Sequence, residues 1–222
     1  MSLLPAMRWD HRPEAERWTT ATLAALRSEG AVLETTVPAD IDTFCPGYEE
    51  AAPKDRRAFW AGFLSALAKH ESTWNPKAKG GGGRWIGLMQ IAPQTARAND
   101  CAIPEGKGLT DGAANLACAV RIAARQVGRD GAIVSDGSGG WRGAARDWAP
   151  LRSAEKRADV AGWTSRQSYC NCPLRPGRAR RAGRIRGRSA ETPASPPPAA
   201  AGSLPCPCSG SRRSRPYRCG RP

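Results

Sequence analysis

One glutamate in this 222-residue chain stands where its carboxyl group could act as a general acid. Glu71 follows Leu64 by seven residues and Trp60 by eleven. At about 100° per residue, these spacings place Glu71 close to the apolar stripe of one helix, in its last turn. Desolvation and the helix dipole both raise the pKa of a carboxyl group there, so the pattern predicts an acid that keeps its proton near neutral pH. The alternative is a glutamate paired with Lys69 or Arg84, or turned to solvent.

Other site chemistries have little support in the sequence. Residues 80–83 are all glycine, but they lack the Gly-Lys-Ser/Thr ending of a phosphate-binding loop. The chain has two histidines, His11 and His70, and its two Cys-x-Cys pairs have one-residue gaps where zinc sites have two to four. We therefore expect no metal site and no cofactor.

The elements that must position Glu71 are predicted to be helical. The clearest helix covers 55–72, where no proline occurs and Trp60, Leu64 and Leu67 share a face, and Asn75-Pro76 stops it. Strand-like alternation is almost absent, so the fold class is mainly α. Residues 37–53 are predicted to be a polar connector and 80–83 a flexible loop. Further helices are predicted over 14–30, 93–99, 111–127, 141–148 and 153–168.

The charge of the chain is unevenly distributed. The formal net charge of +14 suggests an anionic partner such as nucleic acid, a membrane surface or a bacterial wall polymer. Residues 173–222 contain twelve arginines and one acid, Glu191, and so carry +11, which leaves +3 on residues 1–172. This Arg/Pro-rich segment is predicted to be a disordered tail that could contact polyanions nonspecifically. Tyr217 is its only aromatic residue, so base stacking has little support.

Three features bear on the cellular compartment, and the last two point in different directions. No stretch approaches the roughly eighteen apolar residues of a membrane helix, so we expect no integral membrane segment. The first eighteen residues contain no apolar run of signal-peptide length. Eight cysteines, in contrast, suit an oxidising compartment.

The residues that follow Glu71 form two recognisable blocks. Residues 71–76 read ESTWNP and residues 87–96 read GLMQIAPQTA, with a glycine-rich gap between them. The acid-serine pair, the Asn-Pro stop, the Gly-Leu-Met-Gln block and the Pro-x-Thr-Ala helix start resemble the lytic transglycosylase domain of the goose-type lysozyme superfamily. The resemblance covers roughly residues 40–170, and Asn115-Leu116 looks like part of the family's next helix.

The resemblance implies a lysozyme-like helical fold that cleaves peptidoglycan between N-acetylmuramic acid and N-acetylglucosamine. In that family one acid protonates the leaving oxygen and then takes the proton of the sugar's 6-hydroxyl, which leaves a 1,6-anhydro end. Ordinary glycosidases need two carboxylates, yet no acid occurs between Glu71 and Asp100. The single-acid mechanism fits this spacing.

The resemblance also implies roles for individual residues. Glu71 would be the acid and base, and Ser72 would hydrogen-bond near the reacting sugar, although a helix-end hydroxyl bonding the backbone is an alternative. Gln90 would position substrate or order the cleft. The cleft floor would be formed by Gly87, Leu88 and Met89, of which Met89 has plain core packing as its alternative. Each of Trp74, Trp85 and Trp148 could stack on a sugar or pack in the core, and Trp148 is the one that we expect to bind substrate.

The chain departs from the family at the Tyr-Asn-x-Gly-Pro element. Here residues 146–150 read RDWAP, so arginine replaces the tyrosine and Asp147 replaces the asparagine. If Asp147 faced Glu71, it could activate water and make the protein a muramidase-type hydrolase. The remaining alternatives are a noncatalytic wall-binding relative and a polyanion-binding protein.

Because peptidoglycan lies outside the cytoplasm, the resemblance implies a periplasmic or extracellular protein. Its export signal would lie upstream of this start, or another secretion route would replace it. We then expect disulfides between Cys101 and Cys118 and between Cys45 and Cys170, with Cys172 left over. The predicted organisation is a helical lead-in over 1–39, a lysozyme-like domain over 40–172 and the tail over 173–222.

Overall fold

A long buried helix, α4 (Pro53–Ser72), lies at the centre of the fold. Residues 58–68 are all buried, and Ser65 is the only polar side chain among them. A helix that is apolar around its whole circumference can be covered on every side by other elements. Pro53 stands at its first position, where the missing N–H has no intrahelical partner to lose. The helix predicted over 55–72 is confirmed.

The computed structural model describes residues 4–104, 106 and 108–171. The part of the chain that it describes is mainly helical, as predicted, and no helix there combines the length and apolar character needed to cross a membrane. The predicted tail, 173–222, and Cys172 lie outside the described residues. The other helices are α1 (Ala15–Ser28), α2 (Ala31–Thr35), α3 (Ile41–Phe44), α5 (Pro93–Ala98), α6 (Gly112–Asp130) and α7 (Ala154–Thr164).

Three of the remaining helices, α1, α2 and α7, pack against α4. Helices α1 and α2, which belong to the predicted lead-in, pack against both α4 and α6, and α7 packs against α4. All the described residues belong to one compact unit, Met1–Arg178. A cluster of aromatic rings in edge-on contact fills the side of α4 that faces α2 and α3; it consists of Phe44, Tyr48, Phe59, Trp60 and Phe63. This packing holds the beginning and middle of α4 rigid and leaves its last turn at the edge of the core.

A small antiparallel hairpin follows α4. Strand β1 (Lys79–Gly80) pairs with β2 (Trp85–Ile86), with Lys79 opposite Ile86 and Gly80 opposite Trp85. The segment predicted as a flexible loop, 80–83, is therefore the turn of this hairpin, and it includes a short 3-10 turn at Gly81–Gly83.

Two expectations about local structure were wrong. The helix predicted over 141–148 is replaced by two 3-10 segments, Gly143–Arg146 and Ala149–Arg152. Gly143 has φ +48, and a Cβ atom there would lie 1.8 Å from the carbonyl oxygen of Ala132, so the close backbone contact prevents a regular helix. The predicted polar connector over 37–53 contains α3 and buries Phe44 and Tyr48, because the aromatic cluster needs these rings.

Both predicted disulfides are present. Cys45 is bonded to Cys170 and Cys101 to Cys118, with Cα–Cα distances of 4.8 and 5.1 Å. The first joins the segment after α3 to the end of the described chain, and the second joins the segment after α5 to α6. Each crosslink restricts the unfolded chain and thereby stabilises the fold.

Candidate active site

The carboxyl group of Glu71 is buried at the end of α4. Its Oε1 atom accepts no hydrogen bond from any residue that the structure describes. Burial raises the pKa of Glu71 from 4.5 to about 7, and the positive charge of Lys156 partly opposes that shift. A carboxyl group with this pKa exchanges its proton near neutral pH, as a general acid-base catalyst must.

The chain reverses direction immediately after Glu71 and Ser72. Thr73 and Trp74 both have positive φ, 51° and 55°, which is uncommon for residues that carry a side chain. Their N–H groups donate to the carbonyls of the last turn of α4, which ends the helix at Ser72. Such strained residues concentrate at functional sites, where the surrounding structure holds them. The reversal keeps Glu71 at the tip of the central helix.

Ser72 lies next to Glu71, and its hydroxyl is directed to its own helix. The Oγ atom lies 3.4 Å from the carbonyl oxygen of Ala68, to which it donates a long hydrogen bond. This is the helix-end arrangement that the sequence left open. The Ser72 hydroxyl could reach a sugar only after the side chain rotates about its Cα–Cβ bond.

The Gly87–Gln90 segment forms a tight turn anchored on α6. Gly87 has φ +82, and a Cβ atom there would lie 2.3 Å from the Leu109 carbonyl oxygen and 2.4 Å from Nδ2 of Asn115. Glycine is therefore required at position 87. The side chain of Asn115 accepts a hydrogen bond from the N–H of Met89 at 2.9 Å and donates to the carbonyls of Ile86 and Leu109, each at 3.0 Å.

Asn115 is not among the residues that the sequence assigned to the site. It is fully buried on the face of α6 that carries Ala119 and Ile122. A polar side chain on an apolar helix face is the signal that marks it, because a buried amide must find partners.

Gln90 ties the turn to the hairpin. It has φ +46, and its Nε2 atom donates to the carbonyl oxygens of Gly87 at 2.9 Å and of Ala78 at 3.3 Å. Of its two predicted roles, ordering the cleft is the one these bonds describe. Gln90 itself is only partly buried.

Three predicted substrate-binding side chains lie beneath the surface. Leu88 and Met89 are fully buried, and Trp148 is 3% exposed. The indole N–H of Trp148 donates to the carbonyl oxygen of Met89 at 3.1 Å. In this arrangement they support the turn from below, and a buried indole offers no face on which a sugar could stack.

The two other tryptophans named from the sequence differ in exposure. Trp74 is partly buried, its indole N–H donates to the carbonyl oxygen of Ser65 at 2.9 Å, and its ring meets that of His11 edge-on at 4.6 Å. Trp85 stands on the hairpin with 42% of its surface exposed. Of these two, Trp85 presents the larger free ring.

A cluster of charged side chains joins the end of α4 to α7. Asp159 accepts hydrogen bonds from Arg8 at 2.6 and 2.9 Å and from Lys69 at 3.3 Å, and it lies 2.7 Å from Nε2 of His70. Arg8, with His70 and Lys69, holds the pKa of Asp159 well below its usual range. The sequence does not reveal this cluster, because Arg8 and Asp159 are 151 residues apart and Lys69 is 90 residues from Asp159.

Asp147 points to α6. Its carboxylate is exposed and accepts a hydrogen bond from Nε2 of Gln126 at 2.5 Å. Among the described residues, no three His, Cys, Asp or Glu side chains are grouped so that they could hold a metal ion.

Similarities to known proteins cover this same region. Residues 50–132, which include Glu71, the hairpin and the Gly87–Gln90 turn, match the family model described as Transglycosylase SLT domain. The solved structure of Bd0314 DslA in its wild-type form 2 is similar with a TM-score of 0.68 and 31% sequence identity, over 76% of this chain and 100% of that chain. Structures of two Glu-to-Gln mutants of Bd0314 DslA match equally well. No curated protein matches.

Proposed function

The chain belongs to the transglycosylase SLT domain family, and from that premise we propose that it is a peptidoglycan lytic transglycosylase in which Glu71 is both acid and base. The observation that carries the proposal is the Glu71 carboxyl group, buried at the tip of α4 without a hydrogen-bond partner for Oε1 among the described residues. Its pKa of about 7 lets it hold a proton and release it at neutral pH.

In the first step Glu71 acts as the acid. Its proton passes to the glycosidic oxygen as the bond from that oxygen to C1 of the muramic acid breaks, and the bonding electron pair leaves with the oxygen. Positive charge develops at C1, where the substrate's own acetamido group can support it. The step leaves Glu71 as a carboxylate.

In the second step the same carboxylate acts as the base. The 6-hydroxyl oxygen of the muramic acid forms a bond to C1, and its proton returns to Glu71. The products are an N-acetylglucosamine with a free hydroxyl and a 1,6-anhydro-muramic acid end. No water is consumed, and the protonated Glu71 is regenerated.

Lys156 would assist between the two steps. Its positive charge favours the ionised form of Glu71 and so opposes the effect of burial on the pKa. An ionised carboxylate formed by proton donation is stabilised by a nearby cation. Burial thus keeps Glu71 protonated before the first step, and the positive charge of Lys156 stabilises the carboxylate that the step leaves.

Single-acid chemistry is also favoured by the placement of the neighbouring carboxylates. Asp159 is surrounded by Arg8, Lys69 and His70, and Asp147 accepts a hydrogen bond from Gln126. Asp159 is therefore held in a cluster of ion pairs, and Asp147 is directed to α6. The described residues of the hairpin, 79–86, contain no acid.

The proposed place of action is the periplasm or the cell exterior, where peptidoglycan lies. The two disulfides support this proposal, because structural disulfides persist in oxidising compartments. Ser72, Gly87 and Gln90 remain the proposed substrate contacts, through the Ser72 hydroxyl, the backbone at Gly87 and the side chain of Gln90.

The test is the identity of the product. The full chain is incubated with purified peptidoglycan, and the released muropeptides are identified by mass spectrometry. We expect anhydro ends, each lighter than the corresponding reducing end by one water. Reducing ends, together with an inactive Asp147→Asn variant, would instead identify a hydrolase with Asp147 as its second carboxylate.

A further inference from the structure

Trp85 is one of two strongly exposed tryptophans in the described chain. It is 42% exposed, and Trp141, in the Gly-rich segment before the 3-10 segment Gly143–Arg146, is 44% exposed. A single exposed apolar side chain is ordinary on a protein surface. Exposure alone therefore assigns no role to either tryptophan. The two rings differ in what holds them in place and in how far they lie along the chain from Glu71.

The ring of Trp85 is held by the backbone of its own hairpin. A Cβ atom on Gly81 would lie 2.2 Å from Cζ3 and 2.4 Å from Cε3 of the indole, so the ring occupies the space that any other residue at 81 would need. The guanidinium of Arg84 lies 5.5 Å from the ring centroid, a cation–π contact. The indole is thus exposed and already fixed in position, which lowers the entropy lost when a ligand binds it.

The same hairpin is in contact with the Gln90 side chain. A Cβ atom on Gly80, the residue opposite Trp85, would lie 2.4 Å from Oε1 of Gln90. The Nε2 atom of Gln90 donates to the carbonyl oxygen of Ala78, just before β1. Gln90 therefore lies against the base of the hairpin that carries Trp85.

Short backbone contacts link the hairpin to the end of α4. The N–H of Ala78 donates to the carbonyl oxygen of Asn75 at 3.2 Å, and the N–H of Asn75 donates to that of Ser72 at 3.1 Å. Ser72 is the neighbour of Glu71. These successive turns place the hairpin beside the helix end that carries the proposed catalytic acid.

We propose that Trp85 is a carbohydrate-stacking platform that holds one pyranose ring of the glycan strand beside Glu71. One face of a pyranose ring consists of C–H groups, which pack on the electron-rich face of an indole. The hydroxyls at the edge of the pyranose ring stay in water, and the sugar takes the exposed part of the indole that the Arg84 guanidinium does not cover. This inference rests on the proposed function, because it names a substrate contact at the same cleft.

Steady-state kinetics of muropeptide release from soluble glycan strands tests the platform. With the full chain carrying Trp85→Ala, we expect KM to rise about 3–10-fold, the size of one aromatic contact, and kcat to change less. Trp141→Ala, which removes an equally exposed ring elsewhere, should leave KM unchanged. Trp85→Phe should keep most of the affinity and Trp85→Leu should not, because only the phenyl ring has an aromatic face.

A second pair of variants tests the position of the ring. One of them displaces the indole without removing it, and the other is its control. Gly81 and Gly82 both have positive φ, +54 and +69, so alanine at either position is strained in the same way. Only at Gly81 would the new Cβ collide with the indole, since nothing lies within 4 Å of a Cβ at Gly82. We expect Gly81→Ala to raise KM as Trp85→Ala does, and Gly82→Ala to leave KM unchanged.

The outcomes separate this inference from the proposed function. If Trp85→Ala has the same KM as Trp141→Ala, the platform is rejected even when Glu71→Gln is inactive. If Glu71→Gln remains active, the proposed catalytic centre is rejected whatever Trp85 does. Sedimentation of the Glu71→Gln protein with insoluble peptidoglycan, with and without Trp85→Ala, measures binding independently of turnover, and equal binding would also reject the platform.

Discussion

Glu71 and Asp159 lie at the same junction between α4 and α7, and their environments shift their pKa values in opposite directions. Burial raises the pKa of Glu71 to about 7. The Arg8 guanidinium, with His70 and Lys69, holds the pKa of Asp159 well below its usual range. Asp159 therefore stays ionised near neutral pH, whereas Glu71 is close to half protonated.

The difference arises from helix geometry. Lys69, His70 and Glu71 are consecutive, so successive side chains leave α4 about 100° apart. The first two reach Asp159, and Glu71 turns away from that cluster into a buried position. Two side chains adjacent in sequence, Lys69 and His70, thus contact a different carboxylate. Separation of pKa values between neighbouring carboxyl groups is how acid and base roles are assigned in active sites.

The largest expected effect is on catalysis. Glu71→Gln keeps the size of the side chain but removes its titratable proton, so muropeptide release should fall by about 10²–10⁴-fold. Glu155→Gln, an exposed acid on α7 next to Lys156, is the matched control and should retain full activity. Cleavage by Glu71→Gln at the rate of the unmodified chain would remove the proposed catalytic centre.

The same substitution should stabilise the fold at alkaline pH. Glu71 has a folded pKa of about 7 against an ordinary 4.5, so the folded state binds its proton more tightly and the free energy of unfolding falls as pH rises between these values. Glu71→Gln avoids this loss and should gain about 3 kcal/mol above about pH 8, but nothing below about pH 4. Urea unfolding at both pH values measures the difference, and an equal gain at both would contradict burial as its cause.

Asp159→Asn should destabilise the fold, in contrast to Glu71→Gln. The folded pKa of Asp159 is depressed, so its stabilising effect is present above its ordinary pKa of 3.8 and is lost as pH falls toward the folded value. Because the side chain is 33% exposed, we expect a loss of only about 1–2 kcal/mol at neutral pH. Thermal unfolding as a function of pH checks this, and a loss that persists in strong acid would show that the charge is not responsible.

The smallest expected effect is on the pH profile. Lys156 lowers the pKa of Glu71, so Lys156→Gln should raise it. Activity requires the protonated acid and falls as pH rises through that pKa, so the alkaline limb of the kcat profile should move to higher pH. Lys54→Gln, at the opposite end of α4, should leave the limb in place. A shift to lower pH in Lys156→Gln would contradict this electrostatic role.

Much of the fold was predictable because the relevant signals are local. The α4 helix follows from an uninterrupted run of helix formers that ends before Asn75-Pro76, and the structure ends it at Ser72. The helix predicted over 141–148 failed because propensity ignores neighbours, whereas Gly143 must fit against the Ala132 carbonyl. Tertiary contact overrides a weak local preference.

The residues of the candidate site show the same contrast between local sequence signals and tertiary contacts. Glu71, the Gly87–Gln90 block and both disulfide pairings were predicted, and the structure contains both disulfides. Asn115 was missed as the anchor of the turn, and Trp148, named as a sugar contact, is buried. Exposure of a tryptophan depends on which elements cover it, and that information is not local.

The sequence by itself determined the family, the mainly helical class and the residue at the tip of the central helix, because spacing along one helix sets which side chains share a face. Only the tertiary structure decided which charged side chains act on Glu71 and Asp159. Asp159 meets Arg8 across 151 positions of sequence, and Lys156 comes to Glu71 from a different helix. Charges act through space, so a pKa is set by neighbours that folding brings together and that no stretch of sequence contains.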